Sequence, residues 1–449
     1  MKLLLALLLG ATALFPAFAA TRSTPPATNR SSNPVQLRVE VDRPVLPARS
    51  RETVILKVAL DGGVAPRRQR LPVNLALVID KSGSMSGDKI IRARQAALEA
   101  VDRLGPEDVV SLIAYDSEVL TLVPAAPVGD GRRLRNAIRE IEANGGTNLH
   151  GGVVAGAAEI RRYQEFNYLH RIILLSDGQA NVGPSSPAAL GQLGAELLGE
   201  GISVTTIGLG LGFNEDLMTR LARRSDGNTY FVADSSALPR IFQQELGDVL
   251  DVVARRVIVE ITFPEGIRPK RWVGREGRLE NDRAVVEMNQ LYARQEKFAL
   301  IEVEMETAAV GEKVALATAT VTYEDESGRA VGPYRSEATV RFAANEAEVL
   351  AAANHRVQAD YAANHLAEVK DEVVELVDTG RREEAAARMR AVASSLDAMA
   401  SKYQNDDVRQ LAAPAPAEAL RLEREGLDNE RRKAYRAEAA QTVNQQRAP

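Results

Sequence analysis

Between Leu71 and Ala254 short aliphatic runs alternate with amphipathic stretches, and this alternation restricts the fold more than any other feature of the chain. Val73-Asn74-Leu75-Ala76-Leu77-Val78-Ile79 is short and aliphatic throughout, as a strand covered on both faces must be. Asp88 to Leu104 follows, with Ile90, Ile91, Ala97, Leu98, Val101 and Leu104 approximating a helical stripe that Gly105-Pro106 stops. Asp108 to Tyr115, Val119 to Val123, His170 to Ser176, Ile202 to Leu209 and Asn228 to Val232 read as further strands. Gly131 to Ala143, Asn148 to Tyr163, Ser186 to Glu200, Asn214 to Arg224 and Ser235 to about Ala254 read as helices. The expected fold class over residues 72–254 is therefore α/β, a doubly wound, mostly parallel, Rossmann-like sheet.

The flanks have a different character. Gln36 to Asp42 and Thr53 to Leu60 alternate apolar and polar residues, as half-buried strands do. Beyond Arg255, the segments Val257 to Phe263, Ala284 to Met288, Lys297 to Met305, Lys313 to Tyr323 and Ser336 to Phe342 are strand-like with no helices between them. Two isolated strands are marginal alone, so residues 36–61 are expected to join 255–343 in a β-sandwich into which the α/β domain is inserted. Glu346 to Asp378 and Arg382 to Tyr403 carry apolar faces at helical spacing and form an αα-hairpin over residues 344–404. Residues 405–449, with Pro414-Ala415-Pro416 and the charged run Arg421 to Arg436, read as a charged tail, disordered or weakly helical.

Residues 1–19 place Lys2 before an apolar core, Leu3 to Leu14, and end in Ala17-Phe18-Ala19, the order of a cleavable secretory signal. A Ser/Thr/Pro/Asn-rich leader follows over 20–35. The chain has no cysteine, so an exported form must fold without disulfides. A periplasmic or secreted location is expected, with no transmembrane segment in the mature chain. A net charge of −5 from 56 basic and 61 acidic residues, with no basic cluster among aromatics, argues against nucleic acid as a partner.

Three polar turns are expected at one edge of the parallel sheet. The first brings Asp80, Ser82 and Ser84; the second is Gly145-Gly146-Thr147; the third is Asp177-Gly178. Ligands of open α/β sheets bind beyond the carboxyl ends of the strands. Carboxylate and hydroxyl oxygens suit a hard divalent cation: Mg²⁺ first, Mn²⁺ or Ca²⁺ as alternatives. So few carboxylates leave the ion seeking an anionic ligand. Asp116 reads as a turn residue, and His150 is the one candidate for a general base nearby. There is no His-Glu-x-x-His, Gly-x-Ser-x-Gly or phosphate-binding loop. The chain is therefore expected not to be an enzyme. A metal-assisted hydrolase, and an envelope assembly factor acting through the hairpin, are the alternatives.

Asp80-Lys81-Ser82-Gly83-Ser84 after a first strand, Thr147 after two glycines, and Ser176-Asp177-Gly178 after a later strand resemble the metal-ion-dependent adhesion site of von Willebrand factor type A domains. Ile202 to Gly210, followed by Asn214, is similar to the family's fifth strand. The resemblance implies that Asp80, Ser82, Ser84, Thr147 and Asp177 are the metal-site residues. It also implies that the ion captures an Asp or Glu of a protein partner. Lys81 departs from the family pattern, where a small or apolar residue is commoner, and is expected to point away from the ion. The flanking β module resembles exported bacterial proteins of this type and, more loosely, inter-alpha-trypsin inhibitor heavy chains.

Overall fold

The computed structural model describes residues 34–446 except 49–50, 64–70, 165–166, 234, 250–251 and 326. The expected signal at 1–19 and nearly all of the expected leader at 20–35 lie outside the described residues. The chain begins with β1 (Val35–Val41), β2 (Val45–Pro47) and β3 (Glu52–Gly62). The α/β unit follows as β4 (Val73–Asp80), α1 (Asp88–Arg103), β5 (Val109–Tyr115), β6 (Val119–Pro127), α2 (Arg132–Arg139), α3 (Leu149–Arg161) and β7 (Leu169–Ser176). It continues with α4 (Pro187–Gly199), β8 (Ile202–Leu209), α5 (Glu215–Arg224), β9 (Thr229–Val232) and α6 (Leu238–Val249).

The six strands of this unit lie in the order β6-β5-β4-β7-β8-β9. All pairs are parallel except β5 with β6. Every residue of β4, β5, β7 and β8 is buried, because both faces of the sheet are covered. Alternation along β4 shows how. Leu75, Leu77 and Ile79 enter a core shared with α1, α2 and α6. Ala76 and Val78 enter the opposite core, shared with α3, α4 and α5. With no disulfides in the chain these cores carry its stability, each fully buried Leu or Ile contributing about 2 kcal/mol. Sequence order runs outward from β4 toward both sheet edges, so the carboxyl end of β4 is the topological switch point.

The chain leaves the α/β unit into β10 (Val252–Thr262), β11 (Ile267–Val273), β12 (Arg278–Leu279), β13 (Arg283–Tyr292), β14 (Glu296–Met305), β15 (Lys313–Glu324) and β16 (Ala330–Ala343). These strands and β1 to β3 make two sheets, β1-β3-β14-β11 and β12-β13-β10-β15-β16-β2. Val54, Leu56 and Val58 of the first pack with Val257, Val259 and Leu316 of the second in one core. β3 finds its partner on the far side of the insertion, pairing with β14, and β1 joins the sheet through β3.

The helical region departs from expectation. Glu346 to Asp378 is two helices, α7 (Glu346–Ala351) and α8 (His355–Asp378), because the Asn354 side chain caps α8 by accepting from the Val357 amide at 3.3 Å. The tail expected to be disordered or weakly helical is α10 (Asp406–Ala412), α11 (Ala415–Glu425) and α12 (Asn429–Val443), packed beyond α9 (Arg382–Tyr403). Val408, Ala412, Ala419, Leu422 and Tyr435 share one core with Val369, Val373, Met389 and Leu396 of the hairpin.

A buried ion pair inside the α/β unit reaches the sandwich through the other bonds of its arginine. Arg171 of β7 donates to Glu245 Oε2 of α6 at 2.6 Å and to Gln290 Oε1 of β13 at 3.0 Å, and it also meets the Tyr292 hydroxyl. Glu245 accepts further bonds from Thr205, Tyr230 and Asn228. Next to Arg171, His170 is buried, with Asn74 Nδ2 3.2 Å from its Nδ1. Burial, then Arg255 and Arg256, push the imidazole down to about 4. Between that value and the ordinary 6.5 the unfolded chain binds the extra proton. Stability should thus fall as pH drops from 6.5 to 4, by up to about 3 kcal/mol from this group. Urea unfolding at several pH values should show a shallower acid loss in His170→Gln than in the parent; an unchanged slope would contradict the assignment.

Candidate metal centre

Both carboxylates stand where a fully buried strand gives way to a turn. Asp80 is the last residue of β4, and Asp177 directly follows β7, the neighbouring parallel strand. The turn after Asp80 folds back on it. The Ser82 amide donates to Asp80 Oδ1 at 2.8 Å, while the Ser176 hydroxyl donates to Oδ2 at 2.6 Å. Met85, fully buried, pins the short turn Gly83–Met85 to the core beneath. The Gly145 loop is laced to this turn through Gly83 N to Gly145 O at 3.0 Å and Asn144 N to Lys81 O at 2.6 Å. Gly145 takes φ +79°, which its lack of a side chain permits. Thr147 is held by Asn181, whose side-chain oxygen accepts from the Thr147 amide at 2.8 Å and whose own amide donates to Thr147 O at 3.1 Å.

The five sequence-derived residues come together. Ser82 Oγ and Ser84 Oγ lie 3.1 Å apart, and Ser84 Oγ donates to Asp177 Oδ1 at 2.7 Å. Thr147 joins them around Gly178. A Cβ placed on Gly178 would stand 2.8 Å from Thr147 Oγ1, 3.4 Å from Ser84 Oγ and 3.6 Å from Ser82 Oγ. The three hydroxyls thus line one small concavity. Asp80, Asp177, Ser82 and Thr147 are buried and Ser84 is exposed, so the concavity opens at Ser84.

Burial raises the Asp80 carboxyl to about 6; hydrogen bonds from Ser176 and Ser82 oppose the rise and Asp177 adds to it. That marks a carboxylate whose negative charge lacks a compensating cation among the neighbours that shift it. Among the described residues no group of three or more His, Cys, Asp or Glu side chains could hold a metal ion. A cation here would depend on hydroxyls completing a two-carboxylate set, and an all-oxygen set fits a hard dication.

Lys81 pairs with Asp116 rather than with Asp80 or Asp177. Burial raises the Asp116 carboxyl, but the bond and charge of Lys81 and the bond from the Glu118 amide together outweigh it, and the net shift is downward. Asp116 is a turn residue: its Oδ1 accepts from the Glu118 amide at 2.7 Å. His150 is lowered by burial, with Glu196 of α4 opposing. No hydrogen bond joins it to the five residues among those described.

Three contributors escaped the sequence reading. Ser176 fixes the second oxygen of Asp80, and Asn181 fixes the Thr147 backbone. Lys89 of α1 pairs with Asp177 Oδ2. Neither Asn181 nor Lys89 belongs to the motif; only Ser176 was within it.

Residues 74–244 match the von Willebrand factor type A domain family. An uncharacterized protein of Synechocystis sp. is 30% identical over 168 residues, 37% of this chain and 39% of that protein. Inter-alpha-trypsin inhibitor heavy chain H3 of Homo sapiens is 27% identical over 202 residues, 42% of this chain and 22% of the heavy chain. The chain therefore spans well under half the length of either relative. The solved structure of a von Willebrand factor type A protein from Catenulispora acidiphila superposes with a TM-score of 0.66 at 17% identity, covering 88% of this chain and 97% of that one. The fold is thus shared well beyond the α/β unit. Together with the polar turns gathered at the β4 switch point, these likenesses identify the α/β unit of this chain as a von Willebrand factor type A domain.

Proposed function

We propose that this chain is an exported, non-enzymatic protein-binding module. Asp80, Ser82, Ser84, Thr147 and Asp177 would hold a divalent cation, Mg²⁺ first, that receives an Asp or Glu carboxylate from a partner. The observation that carries the reading is the convergence of three hydroxyls on Gly178 beside two buried carboxylates. When bound, the dication supplies a Lewis-acidic position for an anionic oxygen. The chain's residues do the rest. Asp80 is held by Ser176 and Ser82, the Asn181 clamp sets Thr147, and exposed Ser84 marks the side from which a partner reaches the site.

Export is supported by the pattern of residues 1–19. Among the described residues no helix is long and apolar enough to cross a membrane. The hydrolase alternative needs a base, and the charged neighbour of its one candidate, His150, is Glu196. Capture from an envelope extract by the immobilised protein tests the proposal. A partner should be retained in Mg²⁺ and lost both in EDTA and with Asp80→Ala. Retention under both conditions would contradict metal-dependent docking.

A further inference from the structure

Lys89 lies in the first turn of α1, where a cation opposes the helix dipole. Its contacts lie away from the helix. The ammonium pairs with Asp177 Oδ2 and lies 3.4 Å from Ser84 O. Its stem passes Gly210, where a Cβ would stand 3.7 Å from Lys89 Cε and 3.8 Å from Nζ. Asp177 is fully buried, and its other oxygen already accepts from Ser84 Oγ at 2.7 Å. Lys89 itself keeps 35% of its side chain in solvent. The ammonium therefore sits on a metal-site carboxylate, on a flexible tether, with water within reach.

Neutralising a buried carboxylate does not by itself explain this contact. Asp80, equally buried at the same edge, is held by the neutral donors Ser176 and Ser82. The fold thus tolerates a carboxylate there without an ammonium beside it.

We propose that Lys89 is a tethered cation that shares the Asp177 carboxylate with the divalent ion and thereby holds the site's metal affinity down. The inference rests on the metal-centre reading above. A dication between Asp80 and Asp177 is charge-balanced; with Lys89 present the loaded site carries a surplus positive charge. That surplus weakens retention of the ion through repulsion at short range. It also leaves the loaded site electropositive toward an anionic partner group. Lys89 is a positioning and tuning residue here, acting through Asp177.

Mn²⁺ titration of the full chain, followed by electron paramagnetic resonance, tests this in the parent, Lys89→Met, Lys89→Gln, Lys89→Arg and Asp80→Ala. Thermal midpoints of each report folding. Both neutral variants should bind Mn²⁺ roughly tenfold tighter or more, and Lys89→Arg should stay near the parent. Lys89→Gln can still donate to Asp177, so it reads the charge even if Lys89→Met does not fold. Binding by Lys89→Gln where the parent binds none would support the proposal in its strongest form. Parent binding that Asp80→Ala abolishes, with no tightening in folded neutral variants, would overturn this inference alone. No binding by any variant would overturn the metal reading and this inference together.

Discussion

Arg171→Met is expected to remove about 3–5 kcal/mol of stability, measured by urea unfolding at neutral pH. The substitution leaves Glu245, fully buried, with hydroxyl and amide donors but no cation. It also removes the bonds that Arg171 makes to Gln290 and Tyr292, so the junction between the α/β unit and the sandwich should loosen as well. The double variant Arg171→Met/Glu245→Gln should recover part of the loss, because the uncompensated charge is gone. A loss below about 1 kcal/mol in the single variant would show that Arg171 neither compensates Glu245 nor holds the junction with the sandwich.

Gly178→Ala is expected to weaken divalent-ion binding by about 10- to 100-fold while leaving the thermal midpoint nearly unchanged. Gly178 is not among the residues of positive φ, so alanine suits its backbone. What alanine cannot have is the space. Its Cβ would lie 2.8 Å from Thr147 Oγ1, forcing that hydroxyl aside and intruding among the donors of Ser82 and Ser84. Calorimetric titration with Mg²⁺ checks this. Parent-like affinity in Gly178→Ala would mean that the concavity around Gly178 is not where the ion sits.

The parts of the fold that could be read in the sequence share a physical cause. β4, β5, β7 and β8 are aliphatic because both faces are covered, which makes them stand out between polar turns. The five-residue set was legible for a related reason. Two strand ends and the Gly-Gly-Thr loop before α3 each carried the required oxygen donors, and a doubly wound sheet brings such turns to one edge.

The unread parts lacked that contrast. The tail helices bury mainly small residues (Ala412, Ala415, Ala419, Ala437, Ala439 and Ala440), whose apolar signal is weak beside so many charges. Pro414 and Pro416 read as part of a disordered or weakly helical tail, yet they sit at the N-terminus of α11, where proline is well accommodated. β11 was missed because Ile267-Arg268-Pro269-Lys270-Arg271-Trp272-Val273 is charged and contains proline; it lies at a sheet edge, where proline is tolerated. Lys89 gave no pattern signal beyond a lysine in a helix's first turn. Only the fold brings it to Asp177, 88 residues away in sequence.

Isothermal titration of the full chain with Mg²⁺, in the parent and in Asp80→Ala, tests the central claim most directly. The expected result is saturable binding of a single ion by the parent and its loss in the folded variant. Equal binding in both proteins, or absence of binding in the parent and in Lys89→Gln alike, would contradict a metal centre at the carboxyl end of β4.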